Sequence, residues 1–196
     1  MASPVFDAFR LVGGTALSLQ RGHRKSADID LFTDAAYGSI DLGAINAFLR
    51  SSFPYVDSFA VESLGLGKSF FVGHHASDCI KLDIYYTDDF ISDIHCVEGI
   101  RMAGIDDIMA MKIDVIMRGG RKKDFWDIHE LMNEYSLKDI LALHQQRYPY
   151  SHDAPLITQK FNDFSLADDG FEPVCLRGKH WELIKLDIID FVSNGD

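Results

Sequence analysis

The spacing of apolar positions changes along the chain. Residues 9–12 form a short apolar run, 15–21 have helical character, and 29–32 alternate polar with apolar at the two-residue period of a strand. Leu42, Ile45, Phe48 and Leu49 then recur at helical spacing, with Ser39 or Asp41 as the candidate cap and Pro54 beyond the end, which predicts a helix over 42–50. Three β-rich stretches follow at 56–63, 68–72 and 79–86, and Leu64-Gly65-Leu66-Gly67 between the first two reads as a hairpin turn. In the third stretch Ile80, Leu82 and Ile84 alternate with Lys81, Asp83 and Tyr85, so Asp83 is predicted on the polar face of its strand. One more strand is predicted over 97–102.

Beyond that strand the period becomes helical. Asp106 is a candidate cap for a helix carrying Ile108, Met109, Met111, Lys112, Val115 and Ile116, stopped by Gly119-Gly120. A second helix is predicted over 124–135 with Phe125, Ile128, Leu131 and Met132 as its buried stripe, and Ser136 caps a third that ends before Pro149. Two more are predicted at 156–161 and 180–192, separated by a polar loop around Asp168-Asp169-Gly170 and Pro173. The fold class is therefore α/β (α+β): an α/β core over 1–104 and a helical region over 105–196 packed on it.

Composition narrows the function. A formal net charge of −11 argues against a protein that coats nucleic acid through many lysine and arginine contacts. The charge is uneven, however. Residues 10–25 hold Arg10, Arg21, Arg24 and Lys25 and no acidic residue, and Arg118, Arg121, Lys122 and Lys123 form a second basic cluster, so a localised anionic ligand fits. Cys79, Cys96 and Cys175 are widely spaced and outside any C-x-x-C pattern, which argues against a disulfide framework and a structural zinc site. No apolar run approaches the roughly 20 residues of a membrane helix, and no signal peptide is evident. A cytoplasmic location and no membrane partner are expected.

The chemistry concentrates near the start. An apolar run ending in Gly13-Gly14 implies a strand stopped by backbone that takes positive φ and lets a ligand approach its N–H groups. Thr15 onward then opens a helix, whose unsatisfied amides and positive dipole end suit a triphosphate. Asp28 and Asp30 project from one face of the next strand and offer hard oxygen donors to a divalent ion. Asp83 could join them if its strand is a neighbour, with Asp78 as a nearby alternative.

Gly13-Gly14 followed at this distance by Asp28-Ile29-Asp30-Leu31 resembles the signature of the DNA polymerase β-like nucleotidyltransferase superfamily. The fuller pattern of Gly-Gly-Thr-Ala-Leu, then Arg24-x-Ser26-x-Asp28-x-Asp30-Leu31-Phe32, is similar to the AbiE-type abortive-infection toxin nucleotidyltransferases. The likeness extends through Lys81-Leu82-Asp83-Ile84, through Asp107 to Lys112 with Arg118, through Lys123-Asp124-Phe125-Trp126-Asp127-Ile128 and into Trp181-Glu182-Leu183-Ile184-Lys185.

The resemblance implies a mixed sheet with flanking helices and a C-terminal helical bundle. It implies that Asp28, Asp30 and Asp83 bind Mg2+ or Mn2+, with Asp83 bridging to an ion or accepting a proton from the attacking hydroxyl. Gly13, Gly14 and Thr15, helped by Arg24 and Ser26, would hold the β- and γ-phosphates of a nucleoside triphosphate. Lys112 would neutralise triphosphate charge, with Asp124 orienting it through a salt bridge or serving only as a helix cap. The implied reaction is in-line transfer of a nucleotide to an acceptor hydroxyl on tRNA, other RNA or protein. The expected partner is a cognate antitoxin in a bacterial toxin–antitoxin or abortive-infection system. Two alternatives stand beside it: an antibiotic-type transferase acting on a small molecule, and a non-catalytic protein that binds nucleotide or antitoxin. The non-catalytic alternative expects the third carboxylate, Asp83, to be misplaced.

Overall fold

The computed structural model describes residues 1–58 and 65–195. They group into two compact units, one of Met1–Ala16 with Ala27–Ala103, the other of Leu17–Ser26 with the chain from Gly104 onward.

Strands β1 (Arg10–Val12), β2 (Ile29–Thr33), β3 (Tyr55–Ser58), β4 (Gly67–His75), β5 (Asp78–Tyr86), β6 (His95–Val97) and β7 (Ile100–Met102) lie in the first unit. They form one mixed sheet in the order β3-β4-β5-β2-β1-β7-β6. β1 is antiparallel to β2, whereas β2 and β5 run parallel with Leu31 opposite Ile84 and Asp30 opposite Asp83. A parallel pair needs a long crossover, and that connection contains α2 (Leu42–Ser52), β3 and β4. The two-residue side-chain period sorts the faces: Leu31, Phe70, Val72, Leu82 and Ile84 are buried, as are Ile45 and Leu49 of α2. Of the two candidate caps, Asp41 holds α2, its carboxylate accepting from the Ala44 amide at 2.9 Å.

Two turns in this unit carry different signals. The single strand expected over 97–102 is a hairpin, β6 pairing antiparallel with β7 across Glu98 (φ 50°) and Gly99 (φ 78°). Two consecutive left-handed residues make the tight turn that matches strand twist; glutamate in the first position conceals it from the sequence. β3 and β4 pair antiparallel as expected, with Ser58 opposite Phe70, while the expected end of the first strand at 59–63 lies outside the described residues.

The second unit contains α3 (Ile105–Met117), α4 (Lys122–Leu131), α5 (Leu137–Arg147), α6 (Ala154–Phe161), the short α7 (Ser165–Asp168) and α8 (Trp181–Ser193). Helix α1 (Gly13–Arg21) begins in the first unit and ends in this one. α3 touches α4, α5 and α6 and is buried along most of its length through Ile108, Met109, Ala110, Ile113 and Ile116. Phe125, Trp126, Phe164 and Trp181 form an aromatic cluster, the two indoles stacked with centroids 6.5 Å apart. Residues 23–25 pair with the 174–176 segment through Lys25 N–H to the Val174 carbonyl and Leu176 N–H to the His23 carbonyl, each 2.9 Å.

Helix starts here differ from expectation by a few residues. Gly104 is the extended residue before α3, so Asp106 falls in the first turn, where it favours the helix dipole and accepts the Tyr135 hydroxyl at 2.5 Å. α4 starts at Lys122, and the remainder of the helix expected to 135 tightens into a 3-10 turn over Met132–Glu134, leaving Met132 only half-buried. The expected polar loop is preceded by α7, whose Asp168 accepts from the Trp181 indole at 2.7 Å and from Lys185 at 2.9 Å. Cys79, Cys96 and Cys175 are free thiols. Among the described residues no helix is long and apolar enough to cross a membrane.

Ile84 is 0 % exposed and opposes Leu31 in the parallel pair. Ile84→Ala is expected to cost about 2–5 kcal/mol, measured as a lower urea midpoint with an unchanged m-value.

Candidate active site

The glycine turn and the carboxylates belong to the first unit. β1 ends at Val12 and α1 begins at once, because Gly13 takes φ +67° and redirects the chain. A Cβ on Gly13 would stand 2.7 Å from Asp30 Oδ2, so the bare backbone here is what lets the carboxylate lie against the turn. The Thr15 hydroxyl donates to the Asp28 carbonyl, tying the helix start to the residue that leads into β2. Gly14 is buried directly behind.

Asp30 and Asp83 are direct partners in the β2–β5 ladder, and Asp28 precedes β2 on the same two-residue period. All three carboxylates are half-buried. Asp78 opposes His75 at the exposed β4–β5 hairpin end, so the register selects Asp83 over it. Lys81, two residues before Asp83 on the same face, places its ammonium 2.6 Å from Asp83 Oδ2; Asp83 Oδ1 is buried without a hydrogen-bond partner among the described residues. Partial burial alone would lower the Lys81 pKa, but Asp83 first and then Asp30 and Asp28 raise it above its ordinary value. Among the described residues no three His, Cys, Asp or Glu side chains are already gathered into a metal-holding cluster.

Arg24, Ser26, Lys112 and Asp124 belong to the second unit, where Arg24, Lys112 and Asp124 join one buried network. Lys112 Nζ lies 2.7 Å from Asp124 Oδ1 and 2.7 Å from Asp127 Oδ2. Asp127 also accepts from Arg24 Nε at 2.6 Å, Arg24 Nη2 at 2.8 Å and His23 Nε2 at 2.8 Å. Asp124 is not the cap of α4; Arg121 is, and its amide donates to Asp124 Oδ2 at 3.0 Å. Burial opposes charge on Lys112, Asp124 and Asp127, yet the partners prevail: Lys112 is held above its ordinary value by Asp127 and Asp124, and Asp124 below its own by Lys112. Asp127 is pushed well below the carboxylate range, burial being outweighed by Lys112, Arg24 and His23. Ser26 is half-buried in the irregular segment after Arg24.

The residue with most donors in this network, Asp127, was legible as a helical neighbour of Asp124 three positions on, but its wording in the chain gives no sign that it outranks Asp124. His23 offers no signal at all, since it lies in a segment without period. The second basic cluster is likewise engaged: Arg118 pairs with Asp114, Arg121 leans on Asp124 at 3.5 Å, and Lys122 is buried over the Trp181 ring.

Comparison with known proteins gives a consistent picture. The family described as nucleotidyl transferase AbiEii toxin, type IV TA system, matches residues 1–191. An uncharacterized protein of Aquifex aeolicus is 31% identical over 151 residues, which cover 74% of this chain and 68% of that protein. An H. pylori structure described as a candidate nucleotidyltransferase superposes with a TM-score of 0.62 at 20% identity, covering 96% of this chain and 86% of its own. MenT4, a nucleotidyltransferase toxin from Mycobacterium tuberculosis H37Rv, gives 0.58 at 13% identity, covering 97% and 77%. The fold is that of the polymerase β-like nucleotidyltransferases.

Asp127→Asn keeps volume but leaves two buried cations with one carboxylate, and is expected to cost about 3–5 kcal/mol by urea unfolding at neutral pH. Because the Asp127 pKa is depressed from 3.8, its contribution is present above that value and fades as pH falls below it; the raised Lys112 pKa acts oppositely, holding below 10.5 and fading as pH climbs through the folded value. The difference in unfolding free energy between wild type and Asp127→Asn should therefore shrink on acidification. Gly13→Ala, strained at its φ and pressed on Asp30, should lose about 1 kcal/mol or more in the same assay.

Proposed function

The chain belongs to the AbiEii nucleotidyltransferase toxin family, and from that premise we propose that it transfers a nucleotide from a nucleoside triphosphate to an acceptor hydroxyl on RNA or protein. The observation that carries this reading is the Asp30–Asp83 pairing across parallel strands, beside a glycine whose missing side chain leaves the Asp30 carboxylate against the phosphate-binding turn. The non-catalytic alternative requires Asp83 to be displaced, and its register with Asp30 counts against that.

Asp28, Asp30 and Asp83 would hold a divalent cation, Mg2+ or Mn2+. The donor chemistry suits such an ion: all three are carboxylates with hard oxygens, and Asp83 Oδ1 is buried with no hydrogen-bond partner among the described residues, although the three are not gathered into a preformed cluster. When bound, such an ion supplies charge stabilisation at the entering and leaving oxygens of an in-line displacement. The amides at the start of α1, from Gly13 to Thr15, offer donors to the β- and γ-phosphates. Asp83 takes the proton of the acceptor hydroxyl. That oxygen then bonds to the α-phosphorus as the bond from phosphorus to the bridging oxygen breaks, and pyrophosphate leaves.

For Arg24, Ser26, Lys112 and Asp124 the family pattern supports a part in nucleotide binding or its organisation; the network in their own unit supports a positioning role for Lys112 and Asp124. The family description, a toxin of a type IV toxin–antitoxin system, supports a cytoplasmic toxin with an antitoxin counterpart and a role in abortive infection.

Incubation with each labelled triphosphate, Mg2+ and total RNA or protein extract is expected to place label on a macromolecule, and Asp30→Asn or Asp83→Asn should lower that labelling by at least about 100-fold while the proteins stay folded by circular dichroism. Label found only on small molecules would favour the antibiotic-type alternative, and nucleotide binding with no transfer in wild type the non-catalytic one.

A further inference from the structure

Lys81 stands where the carboxylates most need positive charge. Asp30 and Asp83 oppose each other on adjacent strands, and like charges so placed repel. Lys81 spends its ammonium on Asp83 Oδ2 at 2.6 Å, and it also feels the charges of Asp30 and Asp28. Among the described residues the other Asp83 oxygen is buried without a hydrogen-bond partner, so Lys81 engages the oxygen beside it. Its own side chain is 40% exposed against 17% for Asp83, so water reaches the lysine more than the aspartate. A half-exposed ion pair of this kind is weak enough to be displaced.

We propose that Lys81 is a built-in counter-ion for the carboxylate centre: it supplies cationic charge beside Asp83 when no divalent ion is bound, and its ammonium at Asp83 Oδ2 opposes an ion that binds at the neighbouring carboxylate oxygens. This rests on the reading of Asp28, Asp30 and Asp83 as the metal-binding set and adds to it a positioning residue that sets ion affinity. Two consequences follow from the geometry. Removing the ammonium removes a competitor, so ion affinity rises. It also leaves the opposed carboxylates without compensation, so the ion-free protein weakens.

Lys68 provides the control. It opposes Ile84 in the β4–β5 ladder, which puts it on the sheet face opposite to that of Asp83, so Lys68→Met removes the same charge without touching the centre. Mn2+ binding to the full chain, read from the electron paramagnetic resonance signal of the free ion, is to be compared for wild type, K81M, K81R and K68M.

K81M is expected to bind Mn2+ about two- to fivefold more tightly than wild type, the size of effect one partly screened ion pair can exert, with K81R and K68M close to wild type. In EDTA, K81M should melt below wild type, and Mn2+ should raise its melting temperature by more than it raises that of wild type. Mn2+ binding by wild type combined with equal or weaker binding by K81M overturns the inference and leaves the metal reading standing. Equal tightening in K68M also overturns it, by reducing the effect to net charge. Absence of Mn2+ binding in wild type overturns the metal reading and the role of Lys81 together.

Discussion

Like charge is what the sheet of the first unit has to contain. Nothing attractive acts between Asp30 and Asp83; they are neighbours because Leu31 and Ile84, next along the same two strands, are buried opposite each other and fix the register. A slip of one residue would bury the carboxylates and expose the aliphatic side chains, so the core enforces the acidic pair. The surrounding details serve the same constraint. Gly13 gives Asp30 room, the Thr15 hydroxyl secures the residue that leads into β2, and Lys81 compensates Asp83. Core packing thus holds like charges side by side, and Lys81 is a cation that answers them within the unit.

The second unit meets the opposite problem. Four of its charges are buried, and each is answered within the unit: Asp124 and Asp127 stand against Lys112 and Arg24, with His23 completing the donors to Asp127. Such a network is costly to break at any one member, because the remaining charges stay buried. It also bears on Lys112. An ammonium already shared by two carboxylates is not surplus positive charge, and drawing it to a phosphate would strand one of them. The network therefore makes Lys112 and Asp124 organisers of their helices first, with any contribution to the nucleotide made from that fixed arrangement.

The sequence was most legible where one period governs a segment. Alternation around Lys81, Leu82, Asp83 and Ile84 placed Asp83 on the correct face, and the strand, turn and helix order at Gly13-Gly14-Thr15 emerged because glycine is a backbone signal as much as a side-chain one. Legibility failed where conformation departs from residue preference. Glu98 occupies a left-handed position that sequence assigns to glycine or asparagine, so a hairpin looked like one strand. Asp106 and Asp124 looked like cap residues because they are good at capping, but each helix began earlier: Asp106 accepts the Tyr135 hydroxyl, and Asp124 reaches back to the Arg121 amide from the first turn while also holding Lys112. Asp127 and His23 were hidden for a different reason: their importance is a count of partners from distant segments, and no local window contains that count.

Net charge, finally, constrains how an acceptor can be engaged. With −11 over the chain, a polyanion is repelled except close to basic side chains, since screening confines each charge to about 8 Å at physiological ionic strength. Of the second basic cluster, Arg118 answers Asp114, Arg121 leans on Asp124, and Lys122 is buried over Trp181. Arg118 and Arg121 nevertheless keep most of their side-chain surface exposed, at 71% and 69%, so they are paired and still open to solvent. The charge distribution thus confines the attraction of an anion to the neighbourhood of such side chains.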